Sequence, residues 1–280
     1  MISYPLDVAG LQTRVLEAGQ GDKVVVFVHG TGGRADRWVH NVDAVAAAGY
    51  HSYAIDLPGH GFASKGAGVA CSVPAYRDFV LAFMDRLDIA KASIVGTSLG
   101  GHVVASLAVQ HPERVERVAL VGSMGLVPIG DEARGRIQAA ANNQTREGTA
   151  TKMSRVIHDP ALVTDAMREE EWRFNNSAGA AESFATLGRY IGEQLDQDVV
   201  GEQLAAASTP VLLVWGTEDK TVAPAVGERV RASIARSRLA LIEGAAHTAY
   251  FEQPAVFNAV LTDFLAGRTG EVSAPALTWK

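Results

Sequence analysis

The sequence predicts an α/β protein with a mostly parallel central sheet, helices on both faces and an inserted helical block. Short apolar runs alternate with longer amphipathic stretches through most of the 280 residues, a rhythm typical of β-α units. The rhythm stops between about residues 126 and 207, where polar and helix-forming residues dominate, and then resumes. A helical block inserted in this way is typical of a cap over a pocket at the carboxyl ends of the strands.

The first half of the chain supplies an opening hairpin and the first β-α units. Tyr4–Val8 and Leu11–Leu16 flank a short turn and predict the hairpin. Val24–Val28 is apolar and mostly β-branched, as expected for a strand buried on both faces. The next predicted elements are helix Trp38–Ala48, strand Ser52–Ile55, helix Val73–Leu87, strand Ser93–Val95, helix Leu99–Gln110 and strand Val118–Val121.

The strand and helix rhythm returns after the helical block. The predicted elements are strand Val211–Trp215, helix Ala225–Ile234, strand Leu239–Ile242 and helix Pro254–Leu265. We therefore predict a core formed by residues 1–125 and 208–268. Residues 126–207 are predicted to form the cap, and residues 269–280 a loose C-terminal tail.

Composition disfavours several classes of partner. The formal net charge is −6 and no run of Lys or Arg is present, which disfavours nucleic acid and anionic membranes. Cys71 is the only cysteine, so no intramolecular disulfide is expected, and no HxH or HExxH pattern indicates a metal. The first ten residues lack the features of a signal peptide. We expect a cytoplasmic protein that acts on a small molecule without a cofactor, as a monomer or a homo-oligomer.

A GxSxG motif marks the candidate nucleophile. Gly96-Thr97-Ser98-Leu99-Gly100 lies between a predicted strand and a predicted helix, which is the context that a nucleophile elbow requires. The tight turn strains the serine backbone, and side chains two residues to either side would collide, so glycine fits there. A small-residue turn without chemistry is the alternative interpretation, and the strand–turn–helix context favours Ser98 as nucleophile.

A glycine-rich loop marks the candidate oxyanion hole. His29-Gly30-Thr31-Gly32-Gly33 directly follows the strand Val24–Val28. Acyl transfer builds negative charge on a carbonyl oxygen, and each preorganised donor stabilises that transition state by about 3–4 kcal/mol. The backbone N–H groups of Thr31 and Leu99 are the predicted donors. A phosphate-binding loop is the alternative, but the Lys-Ser/Thr of a P-loop is missing and the GxGxxG spacing fails.

An acid and a base follow two later strands. Asp219 comes just after Val211–Trp215 and can orient a histidine, with Glu218 as the adjacent competitor. His247 follows Leu239–Ile242 in a loop and is placed to act as general base. His102, one helical turn after Ser98, is predicted to line the substrate site.

The order Ser98, Asp219, His247 resembles the α/β-hydrolase fold family over nearly the whole chain. The matching motifs are Phe27-Val28-His29-Gly30, Asp56-Leu57-Pro58-Gly59-His60-Gly61, Gly96-Thr97-Ser98-Leu99-Gly100-Gly101 and Trp215-Gly216-Thr217-Glu218-Asp219. The resemblance implies a Ser-His-Asp triad, no cofactor and a helical cap between the sixth and seventh strands.

Within that fold the chain resembles the meta-cleavage-product (C–C bond) hydrolases and the related small esterases and lactonases. Those C–C hydrolases place Asn, Trp and Arg where this chain has Thr97, Thr248 and Glu171. The residues that they use help to hold a dienoate carboxylate and keto group, so the differences favour another acyl substrate. Arg168 and Arg173 lie near the cap position and leave the C–C alternative open.

The sequence therefore predicts a cofactor-free serine hydrolase of a carboxylic ester or a similar acyl compound of modest size. Trp172 in the cap and Thr248 after the catalytic histidine are predicted to contact the substrate. The alternatives are hydrolysis of a C–C bond in a 2-hydroxy-6-oxo-dienoate, a non-catalytic ligand-binding role and cofactor-independent dioxygenation.

Overall fold

A computed structural model describes residues 1–280 and contains one sheet of nine strands in the order β1-β2-β4-β3-β5-β6-β7-β8-β9. The strands are β1 (Ile2–Val8), β2 (Leu11–Ala18), β3 (Val24–Val28), β4 (His51–Ile55), β5 (Ala92–Thr97), β6 (Val115–Val121), β7 (Val211–Gly216), β8 (Arg238–Ile242) and β9 (Leu277–Trp279). The helices are α1 (Val39–Ala47), α2 (Val73–Arg86), α3 (Leu99–Gln110), α4 (Asp131–Asn142), α5 (Arg146–Val156), α6 (Asp165–Asn175), α7 (Ala180–Glu193), α8 (Gly201–Ala206), α9 (Pro224–Ser233), α10 (Ala249–Glu252) and α11 (Pro254–Leu265).

The middle of the sheet is parallel, as the sequence predicts. Strands β4, β3, β5, β6, β7 and β8 pair in parallel, whereas β1, β2 and β9 join the sheet in antiparallel fashion. Every residue of β5 and β7 is buried, which explains the uninterrupted apolar run of β7 and the mainly small and apolar residues of β5. Because parallel strands end at the same edge, the loops after β3, β5, β6, β7 and β8 are brought together there.

Apolar cores lie on both faces of the sheet. One contains Phe83 of α2 and Leu99 of α3, and it extends to Leu187 of α7. The other contains Trp38 and Phe257 and is covered by α1 and α11. None of the helices combines the length and the apolarity needed to cross a bilayer.

The helices between β6 and β7 are attached to the core in two different ways. Helices α4 and α7 pack on one another, and α7 contributes Leu187 and Ile191 to the large core of the molecule. Helices α5 and α6 also pack together, but their apolar contacts form a separate small cluster around Met153 and Ile157. Phe251 of α10 packs on that cluster and Phe174 of α6 packs on Phe62, so polar contacts and a few apolar ones together position the α5–α6 pair over the sheet.

The segment expected to form a loose tail contributes a ninth strand. Residues Leu277–Trp279 pair with β8, and the Trp279 Nε1–H donates to the Val272 carbonyl at 2.9 Å. A strand of three residues is too short to produce a period-two pattern, so the sequence did not indicate it. The division into core, cap and tail stays a prediction.

Candidate active site

Ser98 lies in a strained turn between β5 and α3. Its backbone has φ +54° and ψ −120°, a conformation that non-glycine residues rarely adopt. The Ser98 N–H donates to the Val121 carbonyl at 3.0 Å, and the Ser98 carbonyl accepts from the Met124 N–H at 3.2 Å. The strain is thus held by the end of β6, and the serine is 7% exposed. This geometry is that of a nucleophile elbow.

The glycines that flank the serine are required by close backbone contacts. A Cβ at Gly96 would lie 2.3 Å from the Gly100 carbonyl oxygen. A Cβ at Gly100 would lie 2.3 Å from the carbonyl oxygen of His29, in the loop after β3. Neither neighbour is a flexible side chain that could move aside, which gives the GxSxG spacing a physical cause.

The loop after β3 lies directly against Ser98. A Cβ at Gly30 would be 2.8 Å from the Ser98 Cβ, and residues 30–33 form a turn closed by the Gly33 N–H and the Gly30 carbonyl at 3.0 Å. We call residues 30–33 the oxyanion turn. Neither the Thr31 N–H nor the Leu99 N–H donates a turn, loop or cap hydrogen bond within the protein. Two free donors beside the serine can stabilise an oxyanion.

His29 fastens the oxyanion turn to the sheet. Its Nδ1–H donates to the Gly30 carbonyl at 2.8 Å, and its Nε2 accepts from the Leu57 N–H at 2.9 Å after β4. Complete burial lowers the pKa of His29 to about 4, so the ring stays neutral and keeps both contacts. His29 therefore has a structural role: its ring holds the turn in place.

Asp219 and His247 meet at the ends of β7 and β8. The His247 Nδ1–H donates to Asp219 Oδ2 at 2.7 Å, and the other Asp219 oxygen accepts from the N–H groups of Thr221 and Val222 at 2.7 and 2.9 Å. Both side chains are buried. Glu218 has only a 3.4 Å contact from the hydroxyl of the adjacent threonine.

The loop after β6 brings the acid–base pair towards the serine. A Cβ at Gly122 would lie 2.9 Å from His247 Nδ1, and the neighbouring Val121 carbonyl accepts from the Ser98 N–H. No hydrogen bond joins the Ser98 hydroxyl to His247 in this structure. Enzymes without substrate often show this contact loosened, and it tightens in the substrate complex.

The Thr248 hydroxyl makes its contacts within the protein and connects the loop that contains His247 to α5. This hydroxyl lies 3.0 Å from the Val156 carbonyl and 3.1 Å from Glu252 Oε1. The buried Glu252 carboxylate also accepts from the N–H groups of Ala246 at 2.9 Å and His158 at 2.5 Å. Glu252 thus holds the loop that carries His247, a role that no sequence motif indicated.

His102 and Trp172 occupy two different positions in the molecule. The His102 Nε2–H donates to the Asp198 carbonyl at 2.7 Å, so this ring is buried between α3 and the segment before α8. Trp172, on α6, lines a cavity of about 780 Å³ together with Asn175 and Phe184. The Arg146 guanidinium lies 3.8 Å from the centre of the Trp172 ring, so one face of the indole is already covered.

Glu171 is at the centre of a buried ionic network between α6 and the oxyanion turn. The side chain is fully buried, Oε1 pairs with Lys152 at 2.6 Å, and Oε2 pairs with Arg37 at 2.5 Å and Arg34 at 3.1 Å. Burial by itself would raise the pKa of Glu171, but Arg37, Lys152 and Arg34 hold that pKa well below its usual range. The acid is therefore neutralised by protein cations.

Arg168 and Arg173, the two arginines near Glu171 in the sequence, do not take part in this network. Arg168 pairs with Asp165 at 2.7 Å and is 43% exposed, and Arg173 pairs with Glu169 at 2.8 Å and is 72% exposed. Both are engaged on their own helix and face solvent. No group of three or more His, Cys, Asp or Glu side chains is arranged to hold a metal ion.

Comparison with known proteins gives a consistent result. Residues 23–254 match the model of the α/β hydrolase fold family. A 2-hydroxy-6-oxononadienedioate/2-hydroxy-6-oxononatrienedioate hydrolase of Escherichia coli (strain K12) is 30% identical over 89% of each chain. The dihydrolipoyllysine-residue acetyltransferase component of the acetoin cleaving system of Cupriavidus necator is 35% identical over 93% of this chain and 68% of that protein. Among solved structures, the meta-cleavage product hydrolase CumD of Pseudomonas fluorescens IP01 superposes with a TM-score of 0.83, at 25% identity, over 94% of this chain and 97% of the other.

Proposed function

Because the chain belongs to the α/β hydrolase fold family, we propose that this hydrolase is a cofactor-free serine enzyme acting on a carboxylic ester or a similar acyl compound of modest size. The observation that carries the proposal is Ser98 at φ +54° beside the free N–H groups of Thr31 and Leu99. The 2.7 Å pairing of His247 with Asp219 supplies a base for that nucleophile.

Each residue has one role in the proposed reaction. The Ser98 oxygen attacks the carbonyl carbon, His247 takes the serine proton, and Asp219 holds the His247 Nδ1–H and stabilises the imidazolium. The N–H groups of Thr31 and Leu99 donate to the oxyanion. His247 then protonates the leaving group, and a water molecule activated by the same ring hydrolyses the acyl-enzyme.

The placement of cations supports an ester over a dienoate. A dienoate carries a carboxylate that needs a positive partner close to the nucleophile. The cations next to the oxyanion turn, Arg34, Arg37 and Lys152, already pair with the buried Glu171. A second carboxylate would have to compete with a fixed and buried one, so a neutral substrate fits this site better.

Hydrolysis of a C–C bond is the second candidate. Its support is the name of the Escherichia coli relative and the likeness to CumD, which is named as a meta-cleavage product hydrolase. The Cupriavidus necator relative is named as an acetyltransferase component, so acetyl compounds belong among the substrates to be tested.

We further propose that residues 126–207 form a cap that lines the acyl pocket. The contacts of α5 with the oxyanion turn, through Lys152 and the Gly32 carbonyl, and with Thr248, through the Val156 carbonyl, support this proposal. As the sequence predicts, we expect the protein to act in the cytoplasm on a small molecule. We expect no nucleic-acid or membrane partner. A substrate that fits such a pocket would be of modest size.

The proposed specificity predicts that a neutral ester is a better substrate than a dienoate. The test compares kcat/KM for p-nitrophenyl acetate, acetyl thioesters, a lactone and a 2-hydroxy-6-oxo-dienoate under identical conditions, with Ser98→Ala as the blank. We expect a preference for the neutral acyl compounds of at least about tenfold. That preference corresponds to about 1.4 kcal/mol of transition-state stabilisation. A clear preference for the dienoate would refute the ester assignment and leave the C–C hydrolase.

A further inference from the structure

The oxyanion turn is held from two sides. On the core side, the Gly30 carbonyl accepts from the His29 ring at 2.8 Å. On the other side, the Gly32 carbonyl accepts from the Lys152 ammonium of α5 at 3.0 Å. The residue between these two carbonyls is Thr31, whose free N–H is the proposed oxyanion donor. The orientation of that N–H therefore depends on both anchors.

The contact with Lys152 requires a glycine in the turn. Gly32 has φ +63°, and a Cβ at this position would lie 2.6 Å from Lys152 Nζ. Any side chain at Gly32 would push the ammonium away from the carbonyl that it binds. The glycine thus serves the approach of α5 as well as the bend of the turn.

The Lys152 ammonium is held in place by the buried carboxylate of Glu171. Its ammonium pairs with Glu171 at 2.6 Å, and the fully buried Glu171 is fixed in turn by Arg34 and Arg37. A lysine on a flexible four-carbon stem would otherwise sample many positions. The network gives the ammonium one position, within hydrogen-bond distance of the Gly32 carbonyl.

We propose that Lys152 is a positioning residue that fixes the oxyanion turn from the cap side and so completes the oxyanion hole. The inference rests on the proposed serine hydrolase function. Because α5 and α6 have only a small apolar cluster of their own, their position over the sheet and the geometry of the turn are coupled through this ammonium. The oxyanion hole is complete only when α5 lies against the turn.

The kinetic test uses Lys152→Met, which keeps the stem and removes the charge. Removing one oxyanion donor lowers kcat by about 100- to 1000-fold, and a misplaced donor should cost less, about 10- to 100-fold. With p-nitrophenyl acetate we expect that loss in kcat and a KM within about threefold of wild type, since the turn acts in the transition state. Inhibition by a trifluoromethyl ketone, which forms a tetrahedral adduct, should weaken by the same factor as kcat.

Two further variants separate positioning from general stability. Lys152→Arg keeps a cation that can reach the Gly32 carbonyl and should recover part of the loss. Arg173→Met removes an exposed ion pair from α6 that does not touch the turn, and its kinetics should equal those of wild type. A folded Lys152→Met enzyme with unchanged kcat, or with a change in KM alone, would overturn the proposal.

Amide hydrogen exchange of residues 29–34 tests the positioning without relying on turnover. We expect faster exchange at the Gly33 N–H in Lys152→Met and no change in Arg173→Met. Equal exchange in Lys152→Met and wild type would refute the role of Lys152, whatever the activity. A wild-type protein that neither hydrolyses any ester nor reacts with a fluorophosphonate would refute the proposed function. In that case amide hydrogen exchange would still decide whether Lys152 fixes the turn.

Discussion

At the scale of single residues, Asp219 and Glu218 are neighbours with different surroundings. Asp219 is buried. Its Oδ2 is hydrogen-bonded to His247, and its Oδ1 accepts hydrogen bonds from two backbone N–H groups. The Glu218 carboxylate lies at the surface, and its one hydrogen-bonding contact is with the Thr217 hydroxyl. A carboxylate that orients an imidazole needs fixed donors on its other oxygen, and Asp219 has them.

We predict that Asp219→Asn lowers kcat by about 10⁴-fold, because an amide supports the wrong tautomer of His247. Glu218→Gln should leave kcat within about twofold, as expected for a surface side chain outside the triad. Steady-state kinetics of the two matched carboxylate-to-amide variants, with thermal unfolding of each, decides between them. A larger loss in Glu218→Gln would reverse the assignment.

At the scale of elements, the two halves of the segment between β6 and β7 are stabilised by different forces. Helix α7 is attached by apolar burial through Leu187 and Ile191, whereas α5 and α6 are attached to the oxyanion turn through Glu171 and its cations. The position of the α5–α6 pair over the sheet therefore depends on this buried ionic network, together with the apolar contacts of Phe251 and Phe174.

Glu171→Gln should reduce the free energy of unfolding by about 3–5 kcal/mol at pH 7, since it leaves three cations without their buried partner. The folded-state pKa of Glu171 is lowered from 4.5, so its contribution is present above that value and is lost as the pH falls. Urea unfolding should therefore show a difference from wild type that is full at pH 7 and smaller at about pH 3. Glu169→Gln, which removes an exposed partner on the same helix, should show no comparable loss. Equal stabilities of Glu171→Gln and wild type at pH 7 would contradict the network.

Trp172→Ala should change specificity more than overall activity. Under the proposed cap role the indole lines part of the acyl pocket, so its loss should lower kcat/KM for long acyl esters by about tenfold or more while p-nitrophenyl acetate changes little. The comparison requires that Trp172→Ala and the wild-type protein are equally folded by circular dichroism. The same fractional loss for every acyl length would show that Trp172 only supports the packing of the cap.

Local patterns in the sequence predicted some of these elements and could not predict others. Val24–Val28 was predicted with its observed bounds, because an apolar strand buried on both faces leaves a clear signal. Strand β9 was missed because Leu277–Trp279 is too short for a pattern. The contact between Lys152 and Gly32 spans 120 positions in the chain, and no motif records such a pairing.

The same distinction holds for the candidate site. The Gly96 position of the GxSxG motif follows from a backbone contact with Gly100, within two residues of Ser98, so a local motif records it, whereas Gly100 faces the His29 carbonyl of another loop. The surroundings of Thr248 depend on Val156 and Glu252, which come together only in the folded protein. In the sequence Glu171 is notable only for standing where the C–C hydrolases have Arg, and the three cations that surround it come together only in the folded protein.

At the scale of the whole molecule, the sheet and the cap have separate tasks. The parallel strands bring Ser98, Asp219 and His247 to one edge, and rigid strand ends hold them there. The helices between β6 and β7 carry Lys152, which contacts the oxyanion turn, and Trp172, which we propose to line the acyl pocket. We therefore expect substitutions at the strand ends to change kcat and substitutions in the cap to change specificity, with Lys152 as the exception.

The most direct test of the account is the covalent chemistry of Ser98. Incubation of wild-type protein with a fluorophosphonate, followed by peptide mass spectrometry, should give one adduct per chain, on the peptide that contains Ser98. Ser98→Ala should give no adduct, should lose at least about 1000-fold in kcat on p-nitrophenyl acetate, and should unfold at the wild-type temperature. An unlabelled Ser98 in a folded and active protein, or a folded Ser98→Ala variant that keeps more than about a tenth of the activity, would contradict the account.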